Sequence, residues 1–156
     1  MKVASVKSVL TFGDVKEVKI KVSISSVSCA NAAMNLQTEL SHWDFDEIVK
    51  MSADRWNREL ARMSVETDDE PVKRIFYTAH YHTMIAPTLF CDVNGEYRGM
   101  NDMIYTDLKK ANYTTLSLWD TYRALHPLMT IIQPEMVDDV INSMLSIYRQ
   151  QDKLPI

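Results

Sequence analysis

Between residues 15 and 26 apolar and polar side chains alternate. Val18, Ile20, Val22 and Ile24 fall on one face and Lys19, Lys21, Ser23 and Ser25 on the other. A period of two is that of a half-buried strand. A weaker apolar run over residues 3–12 precedes it, and Gly13-Asp14 between the two supplies turn chemistry, so the start of the chain reads as a β-hairpin. A hairpin alone is marginal in water. It has to lie on something else, a helix of this chain or a further sheet.

From Cys29 the period changes. Residues 29–40 are rich in Ala, Asn and Leu and read as a helix. Asp44 then opens a longer one, with Glu47 three positions on in the capping-box arrangement and an apolar stripe of Phe45, Ile48, Val49, Trp56, Leu60 and Met63. The acidic stretch Glu66 to Glu70 ends that pattern. Pro71 suits the first position of a new helix, where its missing N–H costs nothing, and this helix is expected to run to about Ala86. It is apolar nearly all round, which predicts burial on most faces. Residues 91–113 hold two of the three glycines and read as a long irregular loop. Thr114 or Thr115 is positioned to cap a further helix to His126, and a cleanly amphipathic helix follows Pro134, with Val137, Val140, Ile141, Met144, Leu145 and Tyr148 on one side. The expected organisation is a hairpin followed by about five helices in two layers.

Composition narrows the function classes. With 46% hydrophobic and 24% charged residues the chain is an ordinary globular sequence, and 3 Gly and 5 Pro are too few for the turns of an all-β sandwich. A formal charge of −4 and the lack of any dense Lys/Arg run argue against nucleic acid as a partner. No run approaches the roughly 20 apolar residues of a membrane span, and no apolar signal region follows the N-terminal lysine. As written, the chain is expected in the cytoplasm. Cys29 and Cys91 form no CxxC or metal spacing and read as small apolar residues.

Three constellations could carry chemistry. His80 and His82, two apart on a helix, point different ways and cannot chelate one ion as an i,i+4 pair could. The stretch Ser117-Leu118-Trp119-Asp120-Thr121-Tyr122-Arg123 sets an indole beside a carboxylate and a guanidinium. That trio suits a sugar, whose apolar face stacks on the ring while its hydroxyls meet Asp and Arg. A buried Asp120–Arg123 pair bracing the helix is the plainer alternative. In the loop Cys91 to Gly99, Asp92, Asn94 and Glu96 alternate as in some calcium loops, but the twelfth position from Asp92 is Met103, and an Asn-Gly turn presenting Tyr97 and Arg98 is the better reading. No phosphate loop, GxSxG or HExxH occurs.

Longer strings carry a family resemblance. Residues 76–88 (Phe-Tyr-Thr-Ala-His-Tyr-His-Thr-Met-Ile-Ala-Pro-Thr), Asp92-Val93-Asn94-Gly95 with Tyr97-Arg98-Gly99-Met100, Tyr113-Thr114-Thr115 with Ser117 through Pro127, and Ile131-Ile132-Gln133-Pro134-Glu135 are together similar to glycoside hydrolase family 92, a family of α-mannosidases. The likeness runs in unbroken order over about residues 40–156. It implies a β-sandwich joined by linker helices to an (α/α)6 barrel. On that division residues 1–28 are the end of the sandwich, 29–66 linker helices and 67–156 the first part of the barrel. The fold class is then mainly α with a short N-terminal β-hairpin.

The resemblance also implies calcium-dependent, inverting hydrolysis of terminal α-mannose, with a glutamic acid as general acid and an aspartate as general base. The family's Asn-Glu-Thr segment does not occur in these 156 residues. Acid and base are expected beyond Leu154-Pro155-Ile156, and no catalytic residue or calcium ligand is assigned here. Trp119, Asp120 and Arg123 match part of the mannose-binding wall, and Tyr97 and Arg98 a loop near it. His80 stands where relatives usually have an apolar residue and Asp152-Lys153 where they usually have Gly-Trp. Two functions are therefore carried forward: an inactive fragment of an α-mannosidase, or a stand-alone glycan-binding protein without the chemistry. In either, the partner is a mannose-containing glycan, and uncovered apolar faces are expected to promote self-association. Full-length relatives are usually periplasmic or secreted.

Overall fold

The computed structural model describes residues 7–155, which form six helices and two small antiparallel sheets. In chain order they are α1 (Cys29–Glu39), α2 (Phe45–Leu60), α3 (Glu70–Thr83), β1 (Thr88–Leu89), β2 (Glu96–Arg98), β3 (Ile104–Thr106), β4 (Tyr113–Thr114), α4 (Leu118–Thr121), α5 (Leu125–Ile132) and α6 (Pro134–Gln151). The mainly helical expectation holds.

The expected hairpin does not form within the described residues, and its first positions, 3–6, lie outside them. Residues 7–28 contain no strand, although the chain does turn at Gly13-Asp14. Alternation shows that a segment is extended and has a face to bury, but it does not supply a neighbour for the backbone N–H and C=O groups. Here Val18, Ile20, Val22 and Ile24 stay exposed. Lys21 fixes the segment to the α1–α2 corner, donating to the Leu40 carbonyl with its Nζ 4.4 Å from the Trp43 ring centroid.

The first three helices start at side-chain caps, whereas α4, α5 and α6 have none. Ser28 accepts from the Asn31 N–H at 3.1 Å, Asp44 from Glu47 at 3.0 Å and Asp69 from Val72 at 3.1 Å, each cap contributing about 1 kcal/mol. Only half of the capping box at Asp44 is made. The Asp44 N–H donates to His42 Nδ1 at 3.3 Å, while the Glu47 carboxylate turns toward His42 Nε2 at 3.7 Å.

Three further expectations are corrected. The single helix up to His126 is two, α4 and α5, because Pro127 has no N–H for the Arg123 carbonyl and a continuous helix would break there. The loop over 91–113 is mostly irregular but carries short paired strands: Tyr97 faces Tyr105 in the β2–β3 pair, and β4 returns to β1 with Thr88 opposite Thr114. Its turn needs Gly95, which has φ of 76° and whose missing Cβ would lie 2.4 Å from the Asp107 carbonyl. Lastly, α3 is not buried all round. Only His80 is enclosed, while Val72 and Ile75 are exposed. A helix apolar on every side requires cover on every side, and α3 has α2 on one, through a Trp56–Tyr81 ring contact at 4.8 Å.

The apolar core lies between α5 and α6, where Met129, Ile132 and Val140 are buried. α6 reaches from there to both sheets. Ser143 accepts from the Tyr113 N–H at 2.9 Å, and Gln150 accepts from Met100 N–H at 2.9 Å over Gly99, where a Cβ would meet both Gln150 and the Tyr105 ring within 3 Å. Arg62, just past α2, joins α2 to the α5–α6 corner by donating to the Ile132 carbonyl at 2.8 Å and pairing with Glu59 and Glu135, each at 2.6 Å. No helix among the described residues is long and apolar enough to cross a membrane.

Candidate functional site

The five residues expected to bind a sugar, Trp119, Asp120 and Arg123 as its wall and Tyr97 and Arg98 in a loop near it, fall into two groups of different character. Trp119 lies on α4 with 79% of its surface exposed, an indole free to receive a flat apolar ligand face. Asp120 and Arg123 are also exposed, but they do not pair with each other. The Asp120 carboxylate accepts from Ser117 Oγ at 2.6 Å, and Arg123 Nε donates to Tyr122 Oη at 2.7 Å with its guanidinium 5.3 Å from the Tyr122 ring centroid. The helix has ended at Thr121, so the i,i+3 geometry that would have brought them together is absent. The bracing ion pair is not made.

Tyr97 and Arg98 are differently engaged. Tyr97 is 8% exposed and stacks on Tyr105, centroids 5.8 Å apart and planes 24° apart. Arg98 donates from Nε to the Ser26 carbonyl at 2.7 Å and from Nη1 to the Asp102 carbonyl at 2.9 Å. The Asn-Gly turn is present but does not present these two side chains to solvent. It sets them into the fold, where Arg98 ties the N-terminal segment to the sheet.

The structure also assembles a polar centre that pattern reading did not find. Asn31 and Asn35, one turn apart on α1, are buried with Asp92. Asp92 accepts from Ser25 Oγ at 2.6 Å, from Asn31 Nδ2 at 2.9 Å and from Asn35 Nδ2 at 2.7 Å. Asn31 Nδ2 also donates to Glu96 Oε2 at 2.8 Å, and Asn35 Oδ1 accepts the Val93 N–H at 3.1 Å. The amide of Asn31, then that of Asn94, holds the Glu96 carboxyl below its usual range, while burial and the charge of Asp92 act the other way. The sequence signal was there: two asparagines at i,i+4 amid Ala and Leu are costly to bury unless something accepts their N–H groups.

This centre does not fit calcium. Both Asp92 carboxylate oxygens already accept from the Ser25 hydroxyl and the Asn31 and Asn35 amides, and Glu96 Oε2 accepts from Asn31, so N–H and O–H donors stand where a hard cation would need to approach. No group of three or more His, Cys, Asp or Glu among the described residues is arranged to hold a metal ion. His80 and His82 share none either. His80 is 2% exposed, and neither ring nitrogen has a hydrogen-bond partner among the described residues; burial pushes its pKa down, favouring the neutral ring. Elsewhere, Tyr113 is pushed up by burial and the charge of Asp139. Glu135 is held down by a backbone hydrogen bond and by Arg62.

Comparison with known proteins places this arrangement in context. The sequence model of the glycosyl hydrolase family 92 catalytic domain matches residues 31–156. The structure of the family GH92 α-mannosidase BT3965 from Bacteroides thetaiotaomicron superposes with a TM-score of 0.80 at 38% identity, covering 85% of this chain and 18% of that one. The same enzyme in complex with mannoimidazole gives the same score and identity over 17% of its chain. The GH92 family glycosyl hydrolase ccman5, 24% identical with a TM-score of 0.76 over 81% of this chain and 17% of that one, shares the fold. The chain thus spans less than a fifth of each of these structures. No curated protein matches it.

Proposed function

Because the chain belongs to glycosyl hydrolase family 92, we propose that it supplies part of an inverting, calcium-dependent α-mannosidase that releases terminal α-mannose from glycans. The continuous family match from Asn31 onward carries this reading, supported by relatives named as α-mannosidases. On it, residues 1–28 are the end of a β-sandwich, 29–66 linker helices, and 67–156 the first part of an (α/α)6 barrel. The strand-free segment at 15–26, with its apolar side chains exposed, and the uncovered apolar sides of α2 and α3 agree with elements that finish against other parts of a larger fold.

Within this part Trp119, Asp120 and Arg123 form the mannose-facing wall. The indole offers a stacking face, Asp120 accepts from sugar hydroxyls, and Arg123 donates to them. Tyr97 and Arg98 belong to a loop near that wall, where Tyr97 stacks on Tyr105 and Arg98 holds β2 to the Ser26 carbonyl. Inverting hydrolysis requires two carboxyl groups about 6.5–9.5 Å apart with a water between them. Neither the general acid nor the general base is assigned to a residue of this chain. Calcium, in this family reaction, would hold and polarise the sugar hydroxyls, and its ligands are likewise not assigned here. The chain by itself is expected to leave α-mannosides intact. Mannose release by the isolated chain with calcium, above a calcium-free control, would overturn this reading.

The exposure of Trp119 supports a second reading, a catalytically inactive glycan-binding protein. Calorimetry with an α-mannoside separates the two. Saturable heat that vanishes in Trp119→Ala favours the binding protein, whereas no heat from the isolated chain favours a wall completed only in the larger enzyme.

A further inference from the structure

Asn94-Gly95 is the one Asn-Gly step in the sequence, and it is chemically distinct from the other six asparagines. With no side chain on the following residue, the Gly95 backbone nitrogen can reach the Asn94 side-chain carbonyl. After loss of its proton to solvent base it attacks Cγ. The new N–Cγ bond closes a succinimide, the Cγ–Nδ2 bond breaks and ammonia leaves. Water then opens the ring at either carbonyl, adding hydroxyl to the carbon and a proton to the nitrogen, to give aspartate or isoaspartate.

The folded turn opposes each requirement of this reaction. The Gly95 N–H is donated to the Asp92 carbonyl at 2.8 Å, which disfavours its deprotonation. The Asn94 side chain is held through Oδ1 by the Glu96 N–H at 3.1 Å. Rotation of the Gly95 backbone is restricted on the far side, where its carbonyl accepts from Asp107 N–H at 3.0 Å and its Cα packs against the Asp107 carbonyl. The turn is in turn anchored by Asn35, which bonds both the Asp92 carboxylate and the Val93 N–H.

We propose that Asn94 is a site of spontaneous deamidation that the α1–turn clamp suppresses in the folded chain and that local opening releases. Its product would weaken the clamp that had protected it. Aspartate adds a third carboxylate beside Asp92 and Glu96, and isoaspartate adds a methylene to the main chain inside the Asp92–Glu96 turn, whose backbone bond spans 2.8 Å. The modification therefore promotes the opening that permits it.

The test incubates the chain at mildly alkaline pH in buffer and in denaturing urea. The mass gain of NH2-to-OH exchange and enzymatic isoaspartate labelling are followed on peptides spanning residue 94. The folded chain should react slower on the order of tenfold or more, the factor set by an opening free energy of about 1.4 kcal/mol. Asn35→Ala, confirmed folded by circular dichroism, should react faster in buffer and at the unchanged rate in urea, and Asn94→Gln should yield no product at this position. Equal rates in buffer and urea, or first modification at another asparagine, would overturn the proposal. An Asn35→Ala rate equal to the parent's in buffer would overturn the role of the clamp.

Discussion

Asn35 Nδ2 donates to Asp92 Oδ1 at 2.7 Å across 57 positions of sequence, and the other end of the same amide accepts the N–H of Val93. One side chain thereby fixes both the carboxylate and the backbone of the turn to α1. Asn35→Ala should destabilise the chain by about 1–3 kcal/mol, since it leaves a buried carboxylate and a backbone N–H short of partners. Urea unfolding measures it, and a change below the experimental error would show that water replaces the amide without loss.

Arg62 joins three carbonyl or carboxylate partners at the corner where α2 meets α5 and α6. Its surroundings are partly solvated, so the two ion pairs are worth little individually, and the hydrogen bond to the Ile132 carbonyl carries a larger share. Arg62→Met, which keeps the aliphatic stem, should cost about 1 kcal/mol, most of it surviving in high salt. Complete loss of the difference in high salt would assign the effect to the ion pairs instead.

His80 predicts an acid sensitivity. Burial lowers its pKa in the folded chain, whereas the unfolded chain returns it to about 6.5. Below that value the unfolded state binds the proton that the folded state refuses, so stability is fully present above pH of about 6.5 and falls as pH drops toward the folded pKa. His80→Leu should remove this part of the pH dependence and raise stability, because two unpartnered ring nitrogens leave an enclosed site. A slope unchanged in the variant just below pH of about 6.5 would remove His80 as its source; Glu96 acts only further into acid, where stability from its lowered carboxyl pKa is lost as pH falls below the ordinary carboxylate range.

Trp119 separates function from folding. With its ring in solvent, Trp119→Ala should change stability by no more than about 0.5 kcal/mol. If the ring stacks on mannose in the assembled enzyme, the same change there should reduce kcat/KM by about tenfold or more. An unimpaired enzyme would remove Trp119 from the wall.

The exposed apolar side chains of α2 and α3, among them Phe45, Val49, Val72 and Ile75, should make the isolated chain bind a hydrophobic dye and associate with rising concentration. Sedimentation as a monomer over a hundredfold concentration range, without dye fluorescence, would refute this.

Several elements were legible from local physics. Ser28, Asp44 and Asp69 accept the first free N–H groups of their helices, and Pro134 opens α6 with its amphipathic face on the core, because caps and period act within one or two turns. The break before α5 is written in Pro127, which has no N–H for the Arg123 carbonyl. The 15–26 alternation predicted a strand that does not form, because it says nothing about a neighbour to pair with. Residues 117–127 were recognisable as a string, yet the string did not show that Asp120 turns to Ser117 and Arg123 to Tyr122.

By itself the sequence determined the family, the helical character and the starts of α1, α2, α3 and α6, all properties carried by contiguous residues. Only the tertiary structure decided that Asn31 and Asn35 meet Asp92, that Tyr97 is enclosed while Trp119 is bare, and that His80 is shut away without a partner. Those outcomes depend on which segments come to lie side by side. A buried amide is tolerable only where a distant residue supplies its acceptor, and no local pattern encodes that distance.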